Sequence, residues 1–353
     1  MKKSLFILSS VLVSASLFFG CHKAGTSSSV ASGNDSRNAS QSNEVTIYTY
    51  DSFVSEWGPA PQIAAAFETK TGLKAIFVDC GDGVQLLSRA ILEKDESIAD
   101  IILGIDNNTA QKALDSDILA EYSPKDAEKI ISNEIASQLI DSKKLTAYDY
   151  SHFALIFNTK SNFPEPTSLS DLTNPVYERK IILMDPRTST PGLGFVAWTK
   201  AVFTESKEFT DFWNALKPNI LTMASGWSAG YGLFTKDEAP LVISYTTSPA
   251  ANLEYDKIDY YKALIFEEGH ALQVEGAGIL KNAPNRKNAE AFMDFLISEE
   301  AQNTLPLTQW MYPVNANVSL PECYEKAAAQ AAKTVSVDSD TLNAAVEEVV
   351  ALF

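Results

Sequence analysis

Histidine and cysteine are scarce in this 353-residue chain, with three of each. His22, His152 and His270 are scattered, and neither a C-x-x-C pair nor metal-ligand histidine spacing occurs, so the sequence offers no metal site. Positive charge is also in deficit: 28 Lys and Arg against 45 Asp and Glu leave a net charge of −17. That balance excludes nucleic acid as a partner and excludes a basic membrane-surface role. It is compatible with a cationic ligand, because an acidic protein concentrates small cations near its clefts. Apolar residues are not short, at 45% with 10% aromatic, which suffices for one large core or two smaller ones.

The ends lie outside that core. Lys2 and Lys3 precede the apolar run "LFILSSVLVSASLFFG", so residues 1–20 read as a secretory signal, too short to span a bilayer comfortably. Cys21 follows Gly20 directly, a junction that resembles the lipobox of bacterial lipoproteins, although Phe18 and Phe19 stand where smaller or aliphatic residues are usual. The resemblance implies a lipidated Cys21 and an anchor on the envelope membrane. Residues 21–43 are almost all Ser, Asn, Gly and Ala and cannot bury enough surface to offset their ordering entropy. As a flexible tether of about twenty residues they would reach roughly 25 Å. Cys80 and Cys323 are then left, and sequence alone does not decide whether they pair.

From Glu44 onward, short apolar strands alternate with amphipathic helices. Val45–Tyr50 reads as a strand, followed by a helix opened near Pro59 or Pro61 and closed at Gly72. Lys74–Asp79, Val84–Glu93 and Asp100–Gly104 continue the series as strand, helix and strand. A βαβαβ order predicts a parallel sheet with right-handed crossovers, and ligands in such sheets sit beyond the carboxyl ends of the strands. Those ends carry Tyr50-Asp51-Ser52, then Cys80-Gly81-Asp82-Gly83, then Gly104-Ile105-Asp106. Singly, each aspartate is an ordinary turn former or helix cap. Three on one rim point to a pocket that wants a cation or many hydrogen-bond donors.

The middle of the chain repeats the design. Lys180–Met184 leads into "DPRTSTPGLG" and a helix through Phe195, Trp198 and Val202. A hydroxyl- and glycine-rich helix start exposes N–H groups to an anion, though an ordinary capped helix explains it equally. Leu241–Tyr245 is a further strand, ending in Tyr245-Thr246-Thr247-Ser248-Pro249. Tyr50, Trp227, Tyr245 and Trp310 each sit in a turn beside Gly, Ser or Pro, which favours a ligand surface. Phe53, Trp57, Trp198 and Trp213 are expected in the core. Two α/β units in series predict two lobes facing a cleft: residues 44–148 with a return segment about 268–315, and residues 149–267 with a C-terminal segment about 316–353.

The segments "YTYDSF", "WGP", "DPRTSTPGLG", "GWS", "YGLF", "SYTTSPA", "QVE" and "QWMYPV" together closely resemble the thiamine-binding periplasmic proteins of bacterial ABC importers, in register from about residue 46 to 320. The resemblance implies an α/β, two-lobe class II periplasmic-binding-protein-like fold with the ligand cleft between lobes. It implies a monomer that binds thiamine, thiamine monophosphate or thiamine diphosphate as cargo, without a cofactor, and delivers it to a membrane permease. Thiamine carries a permanent thiazolium charge, which aromatic faces attract. The family positions matched here are Tyr50, Trp227, Tyr245 and Trp310 for stacking, with Ser248 beside them. Asp82 and Gly83 would serve the cationic or amino end, and Ser189, Thr190 and Gly192 the hydroxyl or phosphate arm.

Two positions depart from the family pattern: Ala251 stands where a further tyrosine is common, and Ser88 where an asparagine is usual. Two rival functions come with the fold. A thiaminase I-like enzyme would use Cys80 as nucleophile, with Glu275 as a conceivable base, but no histidine or lysine is visible beside Cys80 to activate it. A ferric-ion binder would use paired tyrosines, for which Asp259-Tyr260-Tyr261 is a superficial match.

Overall fold

A computed structural model describes residues 42–353; the signal reading of residues 1–20, Cys21 and nearly all of the proposed tether lie outside them. β1 (Glu44–Thr49), β2 (Lys74–Asp79) and β3 (Ile101–Asp106) form the expected parallel set, in the order β2-β1-β3. Between them lie helices Ala60–Thr71 and Gly83–Leu92. The first ends at Gly72, which takes a left-handed φ of 74° that other residues adopt only with strain. The second is opened by Asp82 and Gln85 in a reciprocal capping box.

β4 (Thr146–Asn158) is long and buried on both faces, and it does two jobs. The next strands are β5 (Ile181–Met184), β6 (Ile220–Ala224), β7 (Leu241–Tyr245), β8 (Tyr261–Ala263) and β9 (His270–Ile279), and the short pairs Tyr312–Pro313 and Thr334–Val335 add to β4 and β9. The first half of β4 pairs antiparallel with β9, and its second half with β7 and β8. The sheet therefore runs β2-β1-β3-β9-β4-β7-β5-β6 without a break.

Among the described residues two large hydrophobic cores form along it, with a smaller cluster of Ala250, Trp310, Tyr312, Cys323 and Tyr324. One gathers β1, β3, Ala147 and Tyr148 of β4, the Val274 end of β9 and helix Arg286–Leu296, whose Phe292 and Phe295 meet Phe67. The other gathers Phe153–Phe157 of β4, β5, β7, helices Thr190–Val202 and Ser206–Leu216, and Leu342, Ala345 and Val349 near the C-terminus. Phe53, Trp198 and Trp213 are buried in these cores, as expected of them. Trp57 is not: it stands 48% exposed at the mouth of the cleft, because the Trp-Gly-Pro turn carries it past the end of β1 and away from the apolar interior. Cys80 and Cys323 are free thiols.

Candidate functional site

The carboxyl ends of the strands open on a cleft of about 670 Å³ of atom-free space. Its walls are mainly aromatic: Tyr50, Trp57, Trp227, Tyr231, Tyr245 and Trp310. Each ring is held by something local. Tyr50 lies flat against Gly104, where a Cβ would come within 2.5 Å of the ring, so β3 admits only glycine there. Trp227 stacks on Tyr231 with centroids 4.9 Å apart and donates its indole N–H to Ser244 Oγ at 2.7 Å. Ser248 in turn shares a 2.7 Å hydroxyl contact with Ser244. Tyr245 stacks on Phe153 and donates to Gln273 Oε1 at 2.9 Å. Trp310 takes a left-handed φ of 63°, a conformation of some cost for a non-glycine residue, and stacks on Tyr324.

Of the residues singled out in the sequence, Tyr50, Asp82, Thr190, Trp227, Tyr245, Ser248 and Trp310 line this one cleft. Gly83, Ser189 and Gly192 stand behind it. Gly192 lies so close to β5 that a Cβ would meet Met184 O at 2.4 Å, so it serves the approach of helix to strand. Sequence reasoning set Ser52 on the strand-end rim, missed Pro191, Tyr231, Gln273, Gln309 and Met311 as lining residues, and assigned Trp57 to the core. The Trp57–Trp227 pair, 6.0 Å apart, was legible only once both turns were seen to face each other.

The three strand-end aspartates part company. Asp106 is fully buried and accepts from Thr109 N at 2.9 Å and Thr109 Oγ1 at 2.7 Å, so it closes its own turn; burial holds its pKa up at about 6. Asp51 lies beside the cleft without lining it; burial raises its pKa, opposed by a hydrogen bond from Ser228. Asp82 alone lines the cleft, and its carboxylate is fully engaged. Gly83 N donates to Oδ1 at 2.6 Å and Thr190 N at 2.9 Å, while Ser189 Oγ donates to Oδ2 at 3.0 Å and Trp227 N at 2.8 Å. The anion at the start of helix Thr190–Val202 is thus a carboxylate carried by the opposite rim, and the same group meets the start of helix Trp227–Phe234. Burial raises the Asp82 pKa while the Thr190, Trp227 and Gly83 N–H groups pull it down.

The floor is different. Glu275 on β9 lies in register with Asp149 on β4 and with Asp106 on β3. Glu275 faces the cleft and accepts from Tyr50 at 3.1 Å and Gln309 at 3.3 Å. Asp149 is wholly buried, and neither of its oxygens meets an N–H or O–H donor. Its neighbour on β9 is the Glu275 carboxyl. Burial pushes the Glu275 pKa up to about 7, and burial together with the Glu275 charge raises Asp149 well above the carboxylate range. Among the described residues no Lys, Arg or His lines the cleft. The site can therefore hold a flat cation between rings over an acidic floor.

Cys80 lies outside the cleft lining; its thiol donates to Val78 O and accepts from Arg89 at 3.4 Å, and burial raises its pKa against the Arg89 charge. Tyr261 packs against Phe234 and Tyr260 under Lys160, far from a tyrosinate pair on a metal. Among the described residues no cluster of three His, Cys, Asp or Glu could hold a metal ion. Arg89, retained beside the Ser88 departure, packs its guanidinium on Tyr48 and pairs with Glu93.

Residues 96–334 match a family model described as bacterial extracellular solute-binding protein. The chain is 38% identical to the thiamine-binding periplasmic protein of Brucella abortus biovar 1 (strain 9-941) over 81% of this chain and 84% of that one. It is likewise 38% identical to the protein of that description from Escherichia coli (strain K12), over 80% and 84%. A solved structure described as a periplasmic thiamin binding protein is similar at a TM-score of 0.80 and 36% identity, covering 87% of this chain and 95% of its own. Apo ferric ion-binding protein A of Pasteurella haemolytica shares the fold at a TM-score of 0.72 but only 18% identity.

Proposed function

Since the chain belongs to the bacterial extracellular solute-binding proteins, we propose that it captures thiamine outside the cytoplasm and hands it to the permease of an ABC importer. It is a non-enzymatic transport protein of the two-lobe class II periplasmic binding fold. The observation that carries the ligand is the cleft itself: six aromatic side chains around a carboxyl floor with no cationic residue. Each ring face near a thiazolium contributes about 0.5–2 kcal/mol, depending on desolvation. Thiamine monophosphate and diphosphate belong to the same ligand set, and their phosphate arm would compete with Asp82 for the Ser189 and Thr190 donors.

Lobe one comprises residues 44–148 and 268–315, and lobe two residues 149–267 and 316–353. Ligand settles on one lobe, hinging at the β4–β9 crossing brings the rims together, and the closed form docks on the permease as a monomer. Secretion through the 1–20 signal and lipidation at Cys21 keep it on the envelope membrane, tethered by residues 21–43. The test is to incubate the purified chain with thiamine and identify bound and released species by mass spectrometry. Intact thiamine at about one per chain is the expected result. Separated pyrimidine and thiazole products would make the protein an enzyme instead, and retention of nothing would refute the ligand.

A further inference from the structure

Asp149 is a carboxyl with no donor, wholly buried, directly beneath a carboxyl that faces the ligand cleft. A folded protein rarely leaves both oxygens of a buried acid unpartnered, because desolvation without compensation is costly. Here the compensation is protonation of the pair, Asp149 and Glu275 each holding a proton while the cleft is empty. The surroundings supply no positive charge to replace it. β3 contributes Asp106, β4 contributes Tyr148 and Asp149, the end of β1 contributes Tyr50, β7 contributes Tyr245, and the loop before Trp310 contributes the neutral Gln309. Every titratable neighbour is an acid or a phenol. An empty cleft with both carboxyls ionised would place two charges together in a dry site, and protonation prevents this.

A permanent cation changes that balance. Resting on the thiamine reading, we infer that the Glu275–Asp149 pair is the charge-recognising element of the cleft, exchanging a proton for the ligand's positive charge. On entry, the cationic ring lies over Glu275, the Glu275 carboxyl gives up its proton to the solvent and becomes the counter-ion, and Asp149 keeps its own proton. The ligand brings one positive charge and the departing proton removes one, so the net charge of the closed cleft is unchanged. Tyr50 and Gln309, which both donate to Glu275 Oε2, hold the carboxylate facing the ring. The ligand class that follows is a flat organic cation whose charge is delocalised in a ring; a neutral molecule of the same shape lacks the means to displace the proton. Glu275 acts by contact with the ligand, whereas Asp149 acts through Glu275 as a positioning residue.

Calorimetric titration of the purified chain with thiamine, repeated at one pH near 6.5 in buffers of different ionisation enthalpy, counts the protons released. The expected count is about one per ligand, falling towards zero above about pH 8. The thiophene analogue of thiamine, which keeps the shape and lacks the charge, should bind at least about tenfold more weakly and release none. Glu275→Gln should abolish the release and weaken thiamine by about tenfold or more. Asp149→Asn should move the release to lower pH, since its amide donates to Glu275. Tight thiamine binding with heats independent of the buffer would overturn the inference and leave the transport function standing. Failure to bind thiamine at any pH would overturn both.

Discussion

Two buried acidic sites face the same cleft and are treated in opposite ways. At the rim, Asp82 receives four hydrogen bonds, three of them from residues 189, 190 and 227 across the cleft. On the floor, Asp149 receives none from any donor, and Glu275 receives those of Tyr50 and Gln309 with the Tyr148 hydroxyl beside them. A carboxylate met by backbone N–H groups at helix starts has its charged form favoured against burial and works as a clasp between rims. A carboxyl pair short of donors keeps its protons and remains responsive to charge brought from outside. The difference separates holding the cleft shut from reading what is in it.

Breaking the clasp should have the largest effect. Asp82→Ala leaves the donors of Gly83, Ser189, Thr190 and Trp227 unpaired and should lower unfolding stability by about 3–5 kcal/mol in chemical denaturation. Asp149→Asn removes a carboxyl that no donor supports and should change stability by no more than about 1 kcal/mol. Comparable losses from both would mean the two sites are alike.

The aromatic walls rank next. Trp227→Ala and Trp310→Ala each remove a ring lining the cleft and should weaken thiamine by about tenfold or more, read by titration. Trp213→Ala excavates the second core instead, lowering stability by about 3–5 kcal/mol while leaving the affinity of the folded protein nearly unchanged.

The smallest effect, and the one that sharpens the contrast most, is on pH. Glu275 is raised from 4.5 to about 7, so protonation opposes a cation below that pH. Thiamine affinity should fall by up to about tenfold per unit as pH drops below about 7, and level off above it. Stability moves the other way. The folded pKa values of Glu275 and Asp149 lie above their unfolded values, so the folded state holds extra protons between about 4.5 and 7. The stability that the pair supplies is fully present below the unfolded pKa values and is lost as pH rises through the folded ones, which denaturation across pH 4 to 8 would show.

Much of this was readable in the chain because it is local. Strand β2 and strand β7 fall on the expected residues, and Gly72 stops its helix where a left-handed residue is needed. The turn aromatics Tyr50, Trp227 and Tyr245 converge because parallel strands deliver their ends to one side, and the turn between helix Leu305–Thr308 and Tyr312 adds Trp310. What stayed hidden depends on register between distant strands. Nothing in "YDY" or "QVE" reveals that Asp149 and Glu275 sit side by side on β4 and β9. Nor does "DPRTSTPGLG" disclose that its anion is Asp82, more than a hundred residues away. Trp57 was misread for a related reason, since a tryptophan in a turn has no periodicity to show which way it faces.

The most direct test of the account is a crystal structure of the chain with thiamine bound. The predicted result places the thiazolium and pyrimidine rings among Tyr50, Trp227, Tyr245 and Trp310, with Glu275 in contact with the ligand and the Asp82 bonds to Thr190 and Trp227 intact. Thiamine bound elsewhere, or bound in this cleft with Glu275 turned away from it, would contradict the account.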